Sequence, residues 1–236
     1  MKLEKEAVIH LIGIGGTGLS AIARLLVESG YRVRGSDRAL SSLAQSLKEA
    51  GVPVAIGHRA ENVHGATLVV RSSAIPDENV EVQAARELGI PVMKRDEFLG
   101  MLTALRKVIA VAGTHGKTTT TAMVAWLLTE LGQDPSYIVG GTPINLGVNA
   151  HAGSGAALVI EADEYDRMFL GLKPHMAVVT NVEHDHPDCY PSAEDFYQAF
   201  AAFSRCIQPE GMLVACGDDR GAARLMSEAQ ASGMRV

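Results

Sequence analysis

Val108-Ile109-Ala110-Val111-Ala112-Gly113-Thr114-His115-Gly116-Lys117-Thr118-Thr119 decides how this chain is read. Val108–Ala112 runs without a polar break into Gly-Thr-His-Gly-Lys-Thr. A short apolar run entering a glycine turn predicts a strand buried on both faces. A helix is predicted from Thr118 to Leu131. Strand, glycine loop and helix in that order make a phosphate cradle. The loop's backbone N–H groups wrap an anion, and the helix N-terminus adds partial positive charge. Lys117 offsets charge on the outer phosphates, and the Thr118 hydroxyl suits magnesium. The pattern G-x-x-x-x-G-K-[ST] asks for glycine at position 111, where Val111 stands, so the match is Gly116-Lys117-Thr118 with Gly113 in a shorter loop. Threonine costs roughly a few tenths of a kcal/mol in a helix, so the run Thr118–Thr121 does not serve helix stability. Ala122–Leu128, apolar on nearly every face, predicts a helix buried between layers.

Upstream, His10-Leu11-Ile12-Gly13-Ile14-Gly15-Gly16-Thr17-Gly18 holds G-x-G-x-x-G at Gly13, Gly15 and Gly18. It follows a predicted strand, Ala7–Ile12, and opens a predicted helix, Thr17–Glu28, with Leu19, Ile22, Ala23, Leu26 and Val27 at helical spacing. The glycines permit a tight turn and let backbone approach a pyrophosphate. Asp37 follows the next strand and is placed to accept from a ribose hydroxyl. NAD is the obvious ligand for such a loop. The motif alone does not choose among diphosphates, because backbone contacts do not see the rest of the molecule.

Two later strands end in chemistry. Ala157-Leu158-Val159-Ile160 runs into Glu161-Ala162-Asp163-Glu164-Tyr165-Asp166, and Met176–Thr180 into Asn181-Val182-Glu183-His184-Asp185-His186. Carboxyl ends of buried strands are where α/β folds place ligand chemistry. Clustered acids repel one another until cations arrive, and magnesium on a nucleotide needs one or two such carboxylates. No H-x-x-x-H or H-E-x-x-H spacing is present, which argues against a standing zinc site. Acids and histidines at two strand ends beside a phosphate loop favour metal-assisted phosphoryl transfer.

Strand and helix patterns alternate along all 236 residues. Alternation of this kind builds parallel sheets with helices on both faces. Each glycine loop follows the first strand of a series, so the chain reads as α/β. A Rossmann-like parallel-sheet domain spans residues 1–105, and a P-loop-type α/β domain spans residues 106–236. Met234-Arg235-Val236 resembles the start of a further strand, so the second domain is expected to be incomplete at its C-terminal end. The net charge of −6 argues against a duplex-binding footprint, and 5% aromatics against base-stacking platforms, so no nucleic-acid partner is expected. No stretch approaches a bilayer span, and the start of the chain, with Lys2, Glu4, Lys5 and Glu6, lacks a secretory pattern. Cys189, Cys206 and Cys216 form no C-x-x-C and are odd in number, as in a reducing compartment. The expectation is a cytoplasmic protein without a membrane partner.

The motifs Gly13–Gly18, Ser72-Ser73-Ala74-Ile75, Gly113–Thr119, Glu161–Asp166 and Asn181 through Asp185-His186 together resemble the Mur ligases of peptidoglycan synthesis over essentially the whole chain. His115 inside its loop is similar to the alanine-adding members and to their recycling relative, murein peptide ligase. That relative usually carries cysteine and phenylalanine in the first glycine loop, so Gly15 and Gly18 favour the alanine-adding type.

The resemblance implies three domains in the family, binding in turn the UDP of the substrate, ATP, and adenine with the incoming amino acid; residues 1–236 are expected to cover the first two. It implies UDP rather than NAD at Gly13, Gly15, Gly16, Thr17 and Gly18, with Ser72, Ser73 and Arg95 near the nucleotide and Asp37 kept as a substrate-binding candidate. ATP is implied at Gly113, Thr114, His115, Gly116, Lys117, Thr118 and Thr119. Thr118 and Glu161 would hold one Mg2+ and His186 a second. Lys117, His115, Glu161 and His186 are the implied catalytic set, and His115 and Asn149 lie toward the muramyl end. The implied reaction is ATP-driven amide formation between UDP-N-acetylmuramate and L-alanine through an acyl phosphate, with domain closure bringing ATP to the sugar. Tripeptide ligation to the same sugar nucleotide is one alternative, and a nucleotide-binding module without turnover is another. A dehydrogenase would leave Lys117 and Glu161 idle. Several sister ligases carry a carbamylated lysine after the Asp-His motif, whereas no lysine follows Lys173 here.

Overall fold

The computed structural model describes residues 4, 6–104 and 106–236. Lys2 and Lys5, read above as part of the start of the chain, lie outside these, as does Leu105, at which the first domain was expected to end. The chain divides into two compact units, Met1–Phe98 with Val148–Ala152, and Leu99–Gly147 with Gly153–Val236. The return of Val148–Ala152 to the first unit carries no sequence signal.

The first unit contains β1 (Val8–Ile12), α1 (Thr17–Glu28), β2 (Arg32–Asp37), α2 (Ser42–Glu49), β3 (Val54–Ile56), β4 (Leu68–Arg71), α3 (Val80–Glu87) and β5 (Val92–Lys94). Its sheet runs β3-β2-β1-β4-β5, and every pair is parallel. Parallel neighbours cannot be joined by a tight turn, so helices cross over between them. β1 is central, and Ile9, Leu11 and Ile12 are fully buried. Leu19, Ile22 and Leu26 of α1 bury at the spacing the sequence predicted. The order reverses direction between β1 and β4, the position where open α/β sheets part to receive ligands.

α4 (Arg95–Thr103) leads into the second unit, with β6 (Lys107–Ala112), α5 (Lys117–Glu130) and β7 (Ser136–Ile138). β8 (Ala150–His151) sits in the segment that returns to the first unit, where Glu28 Oε2 of α1 lies 2.9 Å from His151 Nδ1 and accepts from the Ala152 N–H at 2.9 Å. Then come β9 (Ala157–Glu161), β10 (Met176–Val179), α6 (Ala193–Ser204), β11 (Met212–Ala215) and α7 (Arg220–Ala231). The second unit's strands lie in the order β11-β10-β6-β9-β7, again parallel. Its core is aromatic: Phe169 stacks on Phe203 at 4.7 Å between ring centroids and meets Phe200 edge-on at 5.3 Å. Arg235 forms a parallel bridge to Met212 at the edge of β11.

The structure corrects several local expectations. α5 is not buried between layers: it buries Thr121 and Ala125, while Met123 and Leu127 stand about half exposed. β6 and β9 pack against it. Asp37, expected to follow the strand, is the last residue of β2, because that strand pairs with β3 as far as Asp37↔Ile56. β7 and β8 were not predicted, being only three and two residues long. Among the described residues no helix is long and apolar enough to cross a membrane.

Candidate active site

Among the described residues, four helices begin with a side-chain cap. Ser41 accepts from Ala44 N–H, Asn79 from Glu81 N–H, Ser192 from Asp195 N–H and Asp219 from Ala222 N–H. The helices that follow the two glycine loops do not. α1 starts at Gly16 and α5 at Gly116, each without a side-chain cap hydrogen bond. The first N–H groups of a helix have no intrahelical partner, so an uncapped start offers donors and positive potential to an anion.

In the first unit, Gly13 adopts φ +84°, and its N–H and that of Ile14 both donate to Ser36 O, at 2.8 and 3.1 Å. The loop is thereby fixed to the end of β2. Asp37 Oδ2 accepts from Gly15 N–H at 2.8 Å, and Ser41 Oγ donates to Gly15 O at 2.9 Å. Asp37, read from the sequence as a ribose partner, thus holds the loop's turn. A Cβ on Gly18 would lie 1.8 Å from Arg95 Nη1, so only glycine lets that guanidinium lie against the start of α1. A Cβ on Gly13 would sit 3.2 Å from Ser72 Cβ. Gly13, Gly15, Gly18, Asp37, Ser72 and Arg95 therefore surround one loop, with Gly16 and Thr17 exposed at the helix start. Ser73 is exposed on the turn after Ser72, and Asn149 is buried in the segment that returns to this unit.

Beneath the loop lies a carboxylate that the sequence did not single out. Glu81 is fully buried at the start of α3. Ser36 Oγ donates to its Oε2, Asn62 Nδ2 and Arg59 N–H donate to its Oε1, and His10 Nε2 lies 3.2 Å from Oε2. Burial alone would raise this carboxyl, but the contacts with His10, Ser36 and Asn62 outweigh it and hold the pKa down to about 2.

In the second unit, Gly113 has φ +137°, and a Cβ there would fall 2.0 Å from Thr180 Oγ1. The loop is laced to the segment after β10. His115 N–H donates to Asn181 Oδ1 at 2.8 Å, Thr180 Oγ1 donates to His115 O at 2.6 Å, and Thr114 Oγ1 donates to Glu183 O at 2.7 Å. Asn181, quoted in the sequence motif but given no role, is one of these braces. The His115 side chain stays exposed, 3.9 Å from Glu183. Thr119 is exposed on the first turn of α5.

Two groups of side chains form around this loop. In one, Thr118 Oγ1 donates to Glu161 Oε1 at 3.0 Å and Gly140 N–H donates to Glu161 Oε2 at 2.7 Å. Gly140 must be glycine for this approach, since a Cβ would lie 2.6 Å from that oxygen. In the other, Lys117 Nζ meets Glu164 Oε1 at 2.7 Å, and His186 Nε2 lies 3.5 Å from the same oxygen. Glu164 is fully buried, which pushes its carboxyl up against the opposing pull of Lys117. The backbone here is strained: Asp166, Arg167 and His186 all hold φ between 52° and 56°. Non-glycine residues persist in that region only where the surroundings impose it, and such residues cluster at functional sites. Among the described residues no three His, Cys, Asp or Glu side chains gather into a metal cage. The Thr118–Glu161 oxygen pair still suits magnesium, which usually takes one or two protein oxygens and completes its shell with phosphate and water.

Residues 8–107 match the model described as "Mur ligase family, catalytic domain", and residues 111–236 match "Mur ligase middle domain". A UDP-N-acetylmuramate–L-alanine ligase of Renibacterium salmoninarum is 50% identical over 97% of this chain and 49% of its own length. One from Roseiflexus sp. (strain RS-1) is 46% identical over 94% of this chain and 48% of its own length. The chain spans about half the length of the curated relatives it matches. Among solved structures, a UDP-N-acetylmuramate–alanine ligase of Thermotoga maritima aligns at TM-score 0.82 and 33% identity over 92% of this chain and 50% of that one. A UDP-N-acetylmuramate:L-alanyl-γ-D-glutamyl-meso-diaminopimelate ligase of Neisseria meningitides aligns at TM-score 0.86 and 30% identity over 94% of this chain and 75% of that one. With both domain models matched along nearly its whole length, this chain belongs to the Mur ligase family.

Proposed function

We propose that the chain holds the two nucleotide sites of an ATP-dependent ligase that joins L-alanine to UDP-N-acetylmuramate, in the cytoplasmic synthesis of peptidoglycan precursors. The observation that carries this reading is the pair of uncapped glycine starts, at Gly16 and Gly116, on a protein whose α2, α3, α6 and α7 are capped by side chains. The first loop grips the diphosphate of the sugar nucleotide through the backbone of Gly13–Gly18, with Ser72, Ser73 and Arg95 beside it and Asn149 toward the muramyl end. The second takes the phosphates of ATP through Gly113–Thr119.

Magnesium fits the oxygens of Thr118 and Glu161, and His186 is the candidate for a second ion; bound there, such ions neutralise phosphate charge. Lys117 does the same from the chain itself, because a carboxylate and a triphosphate repel as they meet. A carboxylate is a poor electrophile for an amine. Transfer of the γ-phosphoryl group to the muramyl carboxylate makes an acyl phosphate, and the amine of L-alanine then displaces phosphate. His115, whose side chain is exposed in the loop, is the candidate to face the muramyl group.

Ligation of a tripeptide to the same sugar nucleotide is a second reading, supported by the Neisseria structure at TM-score 0.86. Gly15 and Gly18 of the first loop, and relatives of 46–50% identity named for L-alanine, favour the first. Phosphate release measured with UDP-N-acetylmuramate and ATP, against L-alanine or the tripeptide, separates them. Release with L-alanine supports the proposal, and release with the tripeptide alone overturns it. Binding of both nucleotides with no release under either amine assigns the chain a binding role.

A further inference from the structure

An ammonium group has three N–H donors. In Lys117 all three are engaged: with Gly113 O at 2.7 Å, Thr114 O at 3.2 Å and Glu164 Oε1 at 2.7 Å. A phosphate reaches this lysine only if one of these partners is released. The partners are not equivalent. Glu164 is 0% exposed, and its Oε2 is buried without a hydrogen-bond partner among the described residues. Taking Lys117 away would strand a buried carboxylate, whereas a released carbonyl of the loop is a neutral group and costs less to leave unpaired. Thr114 O, the longest contact, is the first to yield. The backbone of Glu164 is pinned as well, since its carbonyl accepts from Tyr190 Oη and from Arg167 N–H at 2.9 Å.

On the reading that the second loop binds a nucleoside triphosphate, we propose that Glu164 is a positioning residue that keeps hold of Lys117 while nucleotide is bound. The ammonium turns its other N–H groups from the carbonyls of Thr114 and Gly113 to the phosphates, and the carboxylate fixes its reach. Because His186 Nε2 lies 3.5 Å from the same oxygen, Glu164 also ties the lysine to the segment after β10.

The test is calorimetric titration of the full chain with a magnesium-loaded, non-hydrolysable ATP analogue. The unchanged chain is compared with Glu164→Gln, Lys117→Ala and the double variant, and UDP binding by the first unit serves as the control for folding. The expected result is a loss of about tenfold in analogue affinity for Glu164→Gln, little further loss when Lys117 is already alanine, and unchanged UDP affinity. Equal losses with and without Lys117 would mean a merely structural role and overturn the proposal. So would tighter binding by Glu164→Gln, because the lysine would then be leaving the carboxylate to reach phosphate. A crystal structure of the unchanged chain with the analogue decides the matter should the variant not fold: the Lys117–Glu164 contact persists, or the proposal is wrong. An unchanged chain that binds UDP but no analogue overturns the ATP assignment itself. A chain that binds the analogue in a way sensitive to Lys117 but not to Glu164 overturns only this inference.

Discussion

Glu81→Gln probes the brace beneath the first glycine loop. The carboxylate is held at about 2 rather than the ordinary 4.5. A difference of that size is worth about 3 kcal/mol of folded-state preference for the ionised form. The sign follows from the direction. With the folded pKa depressed, the stabilisation is complete above about pH 4.5 and disappears as pH falls toward 2. The amide keeps the size of the side chain but loses the charge facing His10 and one acceptor for Ser36, Asn62 and Arg59 N–H. At neutral pH the first unit should therefore lose about 3 kcal/mol, equivalent to a urea midpoint lower by about 1–3 M. The chain has one tryptophan, Trp126 in α5 of the second unit, so its fluorescence follows that unit while circular dichroism follows both. The circular dichroism transition should move and the fluorescence transition should not. Between pH 4.5 and 2 the unchanged chain should lose this increment while Glu81→Gln does not. Because Ser36 also anchors Gly13 and Ile14, sugar-nucleotide affinity should fall too. A variant as stable as the unchanged chain at neutral pH, or one with the same acid profile, would refute the reasoning.

On the proposed function, Lys117→Ala should abolish any phosphate release and leave UDP-N-acetylmuramate affinity within about twofold, since the lysine belongs to the second loop. Gly140→Ala would place a Cβ 2.6 Å from Glu161 Oε2 and should weaken magnesium-dependent nucleotide binding at a stability cost of about 1–3 kcal/mol, read by calorimetry and thermal melting. Gly18→Ala should displace Arg95, whose Nη1 would lie 1.8 Å from the new carbon, and lower sugar-nucleotide affinity without moving that for ATP. Ser192→Ala removes the cap of α6 and should cost about 1 kcal/mol, seen as a lower melting temperature with both nucleotide affinities intact.

What was legible in the sequence had a local cause. Apolar runs ending in glycine gave β1 and β6, and helical spacing gave α1, because each pattern is set within a few neighbouring residues. The acid run after β9 was visible, but not which acid mattered. Glu161 and Glu164 look alike in sequence, and only the fold buries Glu164 against Lys117 while leaving Glu161 partly exposed. Glu81 was invisible for the same reason: His10, Ser36, Asn62 and Arg59 reach it from distant parts of the chain. The apolar helix α5 misled because composition reports what a surface is made of, not whether anything covers it. β7 and β8 are too short to show periodicity.

The central claim is that one chain carries two independent phosphate cradles with different tenants. Titrating UDP-N-acetylmuramate into the chain already saturated with the magnesium-loaded ATP analogue tests it most directly. One sugar nucleotide should bind per chain with the analogue still in place, and NAD should not displace it. Competition between the two nucleotides for a single site, or displacement of the sugar nucleotide by NAD, would contradict the account.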